Sequence, residues 1–347
     1  MFGAAAIALT LLVTFAGLLA TDIYLHRKYE RSAAFNIWGY RGPAVGRKQP
    51  GEYRVAMLGG STAYGYGVEW HEAIPELLEQ QLGQHRDGGP YKAVNLGYNN
   101  EGAFSFAFTL KDYERLQYDL VCLYEGYNDM MTNPLRPNTS VFRHDSPVFR
   151  LTGYLPIFPI IFKEKAALML RGDISSAYRP GNQTVFRPGL ATKASAEVLA
   201  TVGEVSASLE RQLDRVVAES PRQIADAGSS GCKFPWATYC RSMSSAIEYA
   251  LARNRQVLVV TQPYKPGALR ERHLEQQHEL VGMLERQFAN ERRVRYVNLG
   301  ETVDLADPRL SFDGMHLTAA GNRLVAAALV APVLEMAALH RAALNEH

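Results

Sequence analysis

Apolar runs of six to eight residues alternate along most of the chain with longer segments whose apolar residues recur at helical spacing. The runs rich in valine and leucine predict strands at 54–60, 92–97, 119–126, 256–263 and 293–300. The patterns between them predict helices at 69–85, 104–117 and 267–290, and a last helix that Thr318 caps. Continuous apolar runs are typical of parallel strands that are covered on both faces. The pattern therefore predicts an α/β fold with a doubly wound, mostly parallel open sheet flanked by helices.

The N-terminal segment differs from the rest, because residues 2–20, FGAAAIALTLLVTFAGLLA, carry no charge. At about 1.5 Å per residue, a helix of this length crosses a hydrocarbon core of roughly 30 Å. We expect residues 1–21 to form a transmembrane or signal-anchor helix and residues 22–52 to form a tether. A cleaved signal peptide and a buried core helix are the alternatives. The apolar run lacks a preceding basic segment, which argues against the signal peptide.

One large domain is expected from 53 to 347, because 47% of the 347 residues are hydrophobic and suffice for a full core. An insertion at about 130–192 interrupts this domain and contains the segment YLPIFPIIF at 154–162. Pro156 and Pro159 argue against a membrane helix there, so we expect a lid or pocket wall. The net charge of +2 gives no bulk attraction to nucleic acid, and no such partner is expected.

The chain has three cysteines with different surroundings. Cys122 lies in the apolar run DLVCLY and is predicted to be an inert core thiol. Cys232 and Cys240 lie eight residues apart in a loop, within a region at 194–254 that is predicted to add two helices. They are either a disulfide pair or two unrelated thiols. A disulfide requires an oxidising compartment.

Two features of the sequence make opposite predictions about which side of a membrane the large domain occupies. The Cys232–Cys240 pair favours a periplasmic or other extracytoplasmic side. Arg27, Lys28 and Arg31 follow the apolar helix and, by the positive-inside rule, favour the cytoplasmic side. We expect a membrane-anchored protein whose large domain is extracytoplasmic.

The segment RVAMLGGSTAYGYGV at 54–68 places Ser61 at the end of a predicted strand, after two glycines. A phosphate-binding loop needs a lysine, and none occurs between Gly51 and Tyr91. The glycine spacing of a dinucleotide-binding turn is also missing. A nucleophilic serine and an ordinary turn remain as interpretations, and Thr62 is predicted to cap the following helix.

A serine nucleophile needs a base, an orienting carboxylate and donors for an oxyanion. Asp313 and His316 are three residues apart in SFDGMHLTAAGN at 311–322. Asn128 follows a predicted strand in EGYND, and VNLGYNNEG at 94–102 offers backbone N–H groups after another. Each of these motifs alone is more often a turn, a cap or a structural contact. Together they fall at one edge of the predicted sheet.

This order of motifs resembles the SGNH (GDSL-like) hydrolase family, over roughly residues 52–345 without the insertion. The resemblance implies that Ser61 is the nucleophile, His316 its general base and Asp313 the acid that orients His316. It also implies that Asn128 donates to the oxyanion, together with the Ser61 backbone N–H. The family's second-block glycine falls on Asn100, whose backbone N–H is the third expected donor.

The chain departs from the family pattern at two positions. Gly60 stands where the first block usually has aspartate, which leaves the nucleophile in place. Asn100 replaces a glycine, so Gly97 and Gly102 remain alternative positions for the donor. The resemblance implies no cofactor and no metal.

Two rival site types fit the sequence less well. An α/β-hydrolase requires G-x-S-x-G, and Ala63 occupies the position of its second glycine. For a metal site, His273 and His278 are close in sequence, but a spacing of five places them on different faces of a helix. Both histidines are predicted to be solvated.

The expected activity is cleavage of an ester through an acyl-Ser61 intermediate, on a small-molecule or carbohydrate substrate. An O-acyl group on an envelope or exported polysaccharide is one such ester. The alternatives are an O-acetyltransferase that uses a sugar hydroxyl as acceptor and a non-catalytic assembly protein on the same fold. Of the residues near the motifs, Glu125 is expected to be a buried hydrogen-bonded carboxylate, and Tyr64 and Tyr66 either line a pocket or pack.

Overall fold

The computed structural model describes residues 2–29, 35–85, 89–124, 126–131, 137–162 and 231–345. Arg31, Glu125, most of the predicted insertion and the predicted helix before residue 231 lie outside these ranges. The described residues belong to two compact units. The first unit comprises the chain up to Gly39 together with the segment that starts at Arg143, and the second comprises the remainder.

Within the described part of the second unit, the strands form one sheet in which every pair is parallel. The strands are β1 Tyr53–Gly59, β2 Tyr91–Asn95, β3 Leu120–Tyr124, β4 Gln256–Thr261 and β5 Val294–Asn298. Their order across the sheet is β2-β1-β3-β4-β5. Each predicted strand is present, and the predicted doubly wound α/β fold is confirmed. Every residue of β1, β3 and β4 is buried, as their continuous apolar runs require.

Helices of the second unit connect and cover these strands. They are α2 Ser61–Tyr64, α3 Ile74–Leu82, α4 Phe106–Asp112, α5 Tyr127–Met131, α7 Ala237–Leu251, α8 Leu269–Phe288 and α9 Ala319–Asn345. The described part of the first unit contains α1 Phe2–Lys28 and α6 Pro147–Thr152. The strand order reverses between β2 and β3, so right-handed crossovers place α3 and α4 on opposite faces of the sheet. In agreement, α3 packs with α9 and α4 packs with α7.

Local geometry changes two of the sequence-based predictions about helix ends and confirms a third. The helix predicted at 69–85 is divided into a 3₁₀ turn, Trp70–Glu72, and α3, because Ala73 between them is extended. The last helix does begin after Thr318, whose Oγ1 accepts from the Gly321 N–H at 3.3 Å. Thr62, in contrast, is not a cap, because α2 begins at Ser61 and Gly60 is its N-cap.

In the first unit, residues 2–20 of α1 carry no charge, and the leucine, isoleucine and phenylalanine side chains from Ile7 to Phe15 are more than 60% exposed. The segment Ala5–Lys28 is long and apolar enough to cross a membrane, which is consistent with membrane anchoring. The segment Ala319–Leu344 of α9 also passes this test of length and composition, but Val325, Leu329 and Val333 of α9 are fully buried.

The last two turns of α1 carry a buried carboxylate, Asp22, that is 1% exposed. Its Oδ1 accepts from the backbone N–H groups of Ile157 at 2.7 Å and Phe158 at 2.6 Å, and its Oδ2 accepts from the Tyr154 hydroxyl. Since a buried charge is tolerated only with such partners, Asp22 ties the end of α1 to the segment at 154–162.

The structure decides between the two interpretations left open for Cys232 and Cys240 and confirms the predicted core position of Cys122. Cys232 and Cys240 are disulfide-bonded, with their Cα atoms 6.0 Å apart, and the bond closes a loop at the start of α7. Cys122 is a free thiol in β3 and is fully buried. Burial without a nearby positive charge raises the pKa of Cys122 to about 12, so this thiol is not reactive.

Candidate active site

The carboxyl ends of the parallel strands meet at one edge of the sheet, where ligands bind in open α/β folds. Ser61 follows β1, Asn100 follows β2, Asn128 follows β3, and the loop with Asp313 and His316 follows β5. All five residues belong to the second unit.

Ser61 lies on a sharp turn from strand to helix that only small neighbours permit. A Cβ on Gly59 would lie 2.3 Å from the Tyr124 carbonyl oxygen of the adjacent strand and 2.6 Å from the Cβ of Ala63. A Cβ on Gly97 would lie 2.8 Å from the Tyr64 backbone nitrogen. The glycines therefore allow α2 to start directly above the strand ends, with Ser61 at its first position.

Two buried side chains that the sequence analysis did not single out hold the far end of this turn. The Arg41 guanidinium is 2% exposed and donates to the carbonyl oxygens of Tyr64, Gly65 and Val68, the last two at 2.6 Å. Asn95 Nδ2 donates to the neighbouring carbonyl of Ala63 at 3.1 Å. Because α2 has only four residues, these donors replace the hydrogen bonds that a longer helix would make.

The structure brings Ser61, His316 and Asp313 into one hydrogen-bonded line. His316 Nε2 lies 2.9 Å from Ser61 Oγ, and His316 Nδ1 lies 2.7 Å from Asp313 Oδ2. A carboxylate only accepts, so Nδ1 carries the proton and leaves Nε2 free to accept from the serine hydroxyl. The Tyr66 ring lies against the His316 ring with centroids 4.6 Å apart.

Asp313, whose side chain is half exposed, remains ionised in this arrangement. Its partial burial opposes ionisation, but hydrogen bonds from the His316 backbone and ring and from the Met315 N–H outweigh burial and lower the pKa of Asp313. The two backbone bonds reach Asp313 Oδ1 at 2.8 and 3.0 Å. They fix the carboxylate so that its other oxygen faces the imidazole.

A hydrogen bond joins the segment after β2, which carries Asn100, to the segment after β3, which carries Asn128. Asn128 Nδ2 donates to the Glu101 carbonyl oxygen at 2.7 Å, and the Asn100 carbonyl accepts from the Asn138 side-chain amide. Asn100 has a φ of 61°, in the left-handed region that favours glycine and, among other residues, asparagine. Its backbone conformation thus explains how asparagine can stand at a position where the related pattern has glycine.

The model of the GDSL-like Lipase/Acylhydrolase family matches residues 57–324, which include Ser61, Asn128, Asp313 and His316. The chain belongs to this family. Its members are ester-cleaving hydrolases, so the resemblance found in the sequence is confirmed. A search of curated proteins gives no match.

Several solved structures have a similar fold. A lipolytic protein of the G-D-S-L family from Desulfitobacterium hafniense is 12% identical, with 80% of this chain and 98% of that chain covered and a TM-score of 0.38. A family 3 carbohydrate esterase from Clostridium thermocellum is also 12% identical, with coverages of 82% and 98% and a TM-score of 0.41. A family two carbohydrate esterase from Cellvibrio japonicus is 10% identical, with coverages of 86% and 64% and a TM-score of 0.38. Likenesses at this level carry no conclusion about substrate.

In this GDSL-like hydrolase a second carboxylate, Asp129, lies next to Asn128. Asp129 Oδ2 accepts from the Ala103 N–H at 2.9 Å, and a Cβ on Gly102 would come within 2.9 Å of both carboxylate oxygens. Burial raises the pKa of Asp129 to about 7, against the opposing hydrogen bond from Ala103. Gly102 is therefore needed for close packing against Asp129.

The prediction that His273 is solvated is wrong, whereas His278 is exposed as predicted. His273 is fully buried in α8, with its ring edge-on to the rings of Tyr127 and Tyr264. Burial, assisted by the charge of Lys265, lowers the pKa of His273 to about 4, so its imidazole is neutral. No cluster of three His, Cys, Asp or Glu side chains suited to a metal occurs in the part of the chain that the structure describes.

Proposed function

We propose that the protein is a serine esterase in which Ser61 is the nucleophile, His316 the general base and Asp313 the orienting acid. The observation that carries the proposal is the line of contacts from Ser61 Oγ to His316 Nε2 at 2.9 Å and from His316 Nδ1 to Asp313 at 2.7 Å. This geometry argues against a non-catalytic assembly protein, since a scaffold requires no aligned serine, imidazole and carboxylate.

The geometry supports acyl transfer in two steps. His316 Nε2 takes the hydroxyl proton as Ser61 Oγ attacks the ester carbonyl, and the same proton then passes to the leaving alcohol. An acyl-Ser61 ester results. His316 next takes a proton from water, the hydroxide attacks the acyl carbon, and the acid leaves as Ser61 regains its proton. Asp313 stabilises the imidazolium in both steps without itself accepting a proton.

We assign the oxyanion donors to Asn128 Nδ2 and to the backbone N–H groups of Ser61 and Asn100. Ser61 is the first residue of α2, where a backbone N–H has no partner within the helix. Asn128 Nδ2 donates to the Glu101 carbonyl oxygen at 2.7 Å, which holds the side-chain amide beside the segment that carries Asn100.

Asn128→Ala is expected to lower kcat by roughly 10²–10³-fold with little change in KM, because an oxyanion donor acts mainly in the transition state. Steady-state hydrolysis of p-nitrophenyl acetate measures both constants. Asn322→Ala is the matched control, since the buried Asn322 amide also donates to a loop carbonyl, that of Glu72, at 3.0 Å. A rise in KM with unchanged kcat would assign Asn128 to substrate binding instead.

For the substrate we propose an O-acyl ester on a carbohydrate of the cell envelope, on the basis of the apolar helix α1 and its expected place at a membrane. The same Ser61 acyl intermediate serves an O-acetyltransferase if a sugar hydroxyl replaces water. Product analysis with an acetyl donor, with and without a sugar acceptor, decides between them. Free acetate in both mixtures supports the esterase, and acetylated sugar supports the transferase.

We further propose that α1 anchors the protein and that the second unit is extracytoplasmic, where the Cys232–Cys240 bond is stable. Alkaline-phosphatase fusions joined downstream of residue 31 should then be active. Inactive fusions would place this unit in the cytoplasm, in line with the basic residues Arg27 and Lys28 after the apolar run.

The disulfide should also contribute measurably to stability. Replacing Cys232 and Cys240 by serine is expected to lower the free energy of unfolding by about 2–3 kcal/mol, because the closed loop is nine residues long and the bond restricts the unfolded chain. Urea denaturation measures the change. Reduction should destabilise the wild-type protein by a similar amount and leave the double variant unaffected; equal effects on both would show that the bond is not formed.

A further inference from the structure

The side-chain amide of Gln262 joins the two segments that carry the proposed nucleophile and oxyanion donor. Gln262 directly follows β4 and is 1% exposed. Its Nε2 donates to Thr62 Oγ1 at 2.6 Å, and its Oε1 accepts from the Tyr127 backbone N–H at 2.9 Å. Thr62 is the neighbour of Ser61, and Tyr127 is the neighbour of Asn128. One planar group therefore spans the gap between α2 and α5.

This bridge begins where the backbone pairing of the sheet ends. The last paired residues of β1 and β3 are Gly59 and Tyr124, and Tyr124 is also the last partner of β4, at Val260. Beyond these pairs the strand ladder no longer fixes α2 relative to α5. The Gln262 side-chain amide lies just beyond these pairs. There it hydrogen-bonds to Thr62, which follows β1, and to Tyr127, which follows β3.

Further hydrogen bonds hold the start of α5 against the same segment. The Tyr127 hydroxyl donates to the Pro263 carbonyl, so Tyr127 contacts consecutive residues after β4 through both its backbone and its ring. Gln276 of α8 donates to the Gly126 carbonyl at 3.0 Å. With α5 held to Gln262 in this way, the bond from Gln262 to Thr62 determines how far α2 lies from α5.

We propose that Gln262 is a positioning residue that sets the separation of Ser61 and Asn128 for the transition state. The inference rests on the proposed function. Oxyanion stabilisation depends on donors placed within fractions of an ångström of the developing charge. Binding of the ester in the ground state has no such requirement, so Gln262 acts on kcat and not on KM.

Gln262→Met and Thr62→Val test this bridge, because each keeps the shape of the side chain and removes one side of the 2.6 Å hydrogen bond. Each is expected to lower kcat for p-nitrophenyl acetate by about 10²-fold, the cost of a small misplacement, with KM unchanged. The double variant should lose no more than Gln262→Met alone, because Gln262→Met already lacks the bond that Thr62→Val removes.

Two controls separate positioning from a general loss of stability. Thr62→Ser keeps the hydroxyl and should retain wild-type kcat. Gln256→Met removes a second buried amide, at the first residue of β4 and so at the far end of the strand from Gln262. The Gln256 amide accepts from the Tyr53 hydroxyl and donates to the Met336 carbonyl. Gln256→Met should lower the melting temperature and leave kcat unchanged.

The outcomes distinguish this inference from the proposed function. If the wild-type protein neither hydrolyses the ester nor reacts with a fluorophosphonate, both proposals fail. If it does both, but Gln262→Met and Thr62→Val keep wild-type kcat or change only KM, the positioning role alone is wrong. If Gln262→Met does not fold, Thr62→Val carries the test, and a normal kcat for it overturns the inference.

Discussion

Ser61→Ala should abolish covalent labelling by a fluorophosphonate probe and lower kcat for ester hydrolysis by about 10⁵–10⁶-fold. Alanine removes the only atom of this side chain that attacks the ester, and the oxyanion donors alone provide the residual rate. The probe reacts with an activated serine hydroxyl, and Ser61 Oγ lies 2.9 Å from the His316 imidazole that we propose as its base. Gel fluorescence and mass spectrometry of the labelled peptide measure the reaction.

Ser311→Ala is the control for this experiment. Ser311 lies on the same loop as Asp313, but its hydroxyl donates to the His316 backbone carbonyl at 3.0 Å and not to the ring. The Ser311→Ala protein should still be labelled. Labelling that persists in Ser61→Ala, or a label found on another serine, would show that the nucleophile is wrongly assigned.

His316→Ala is expected to lower kcat nearly as much as Ser61→Ala, because the serine hydroxyl then has no base. Asp313→Ala should have a smaller effect, about 10⁴-fold, since the imidazole remains but loses its tautomer and orientation. Pre-steady-state and steady-state kinetics with p-nitrophenyl acetate measure these rates.

The double variant Ser61→Ala with His316→Ala should be no slower than either single variant, because the two residues act as one unit. Multiplicative losses would instead indicate that His316 contributes independently of Ser61. His278→Ala, on the exposed side of α8, is the control for substituting a histidine and should leave kcat unchanged.

Several features of the site depend on contacts between segments that are distant in the sequence. Thr62 follows the strand end like a helix cap, yet Gly60 caps α2 and the Thr62 hydroxyl bonds to Gln262, 200 residues further on. A spacing of five on a polar helix predicts solvent exposure for His273, yet the rings of Tyr127 and Tyr264 bury it. Local patterns do not contain this information, because the partners come from α5 and from the segment after β4.

The sequence by itself determined the sheet and the positions of its strands, since burial on both faces requires the continuous Val and Leu runs seen in β1, β3 and β4. It also placed Asp313 within reach of His316, because this contact depends on a separation of three residues, and it allowed the pairing of Cys232 with Cys240 without requiring it. Such short-range geometry follows from the backbone alone.

Only the tertiary structure decided how Ser61 meets His316, from which it is separated by 255 residues. It likewise decided that Arg41 and Asn95 hold the end of α2 and that Gln262 joins α2 to α5. These buried arginine and amide groups carry no periodic signal in the sequence. Their partners are backbone groups and a threonine hydroxyl that come within hydrogen-bonding distance only after the parallel strands have aligned their carboxyl ends.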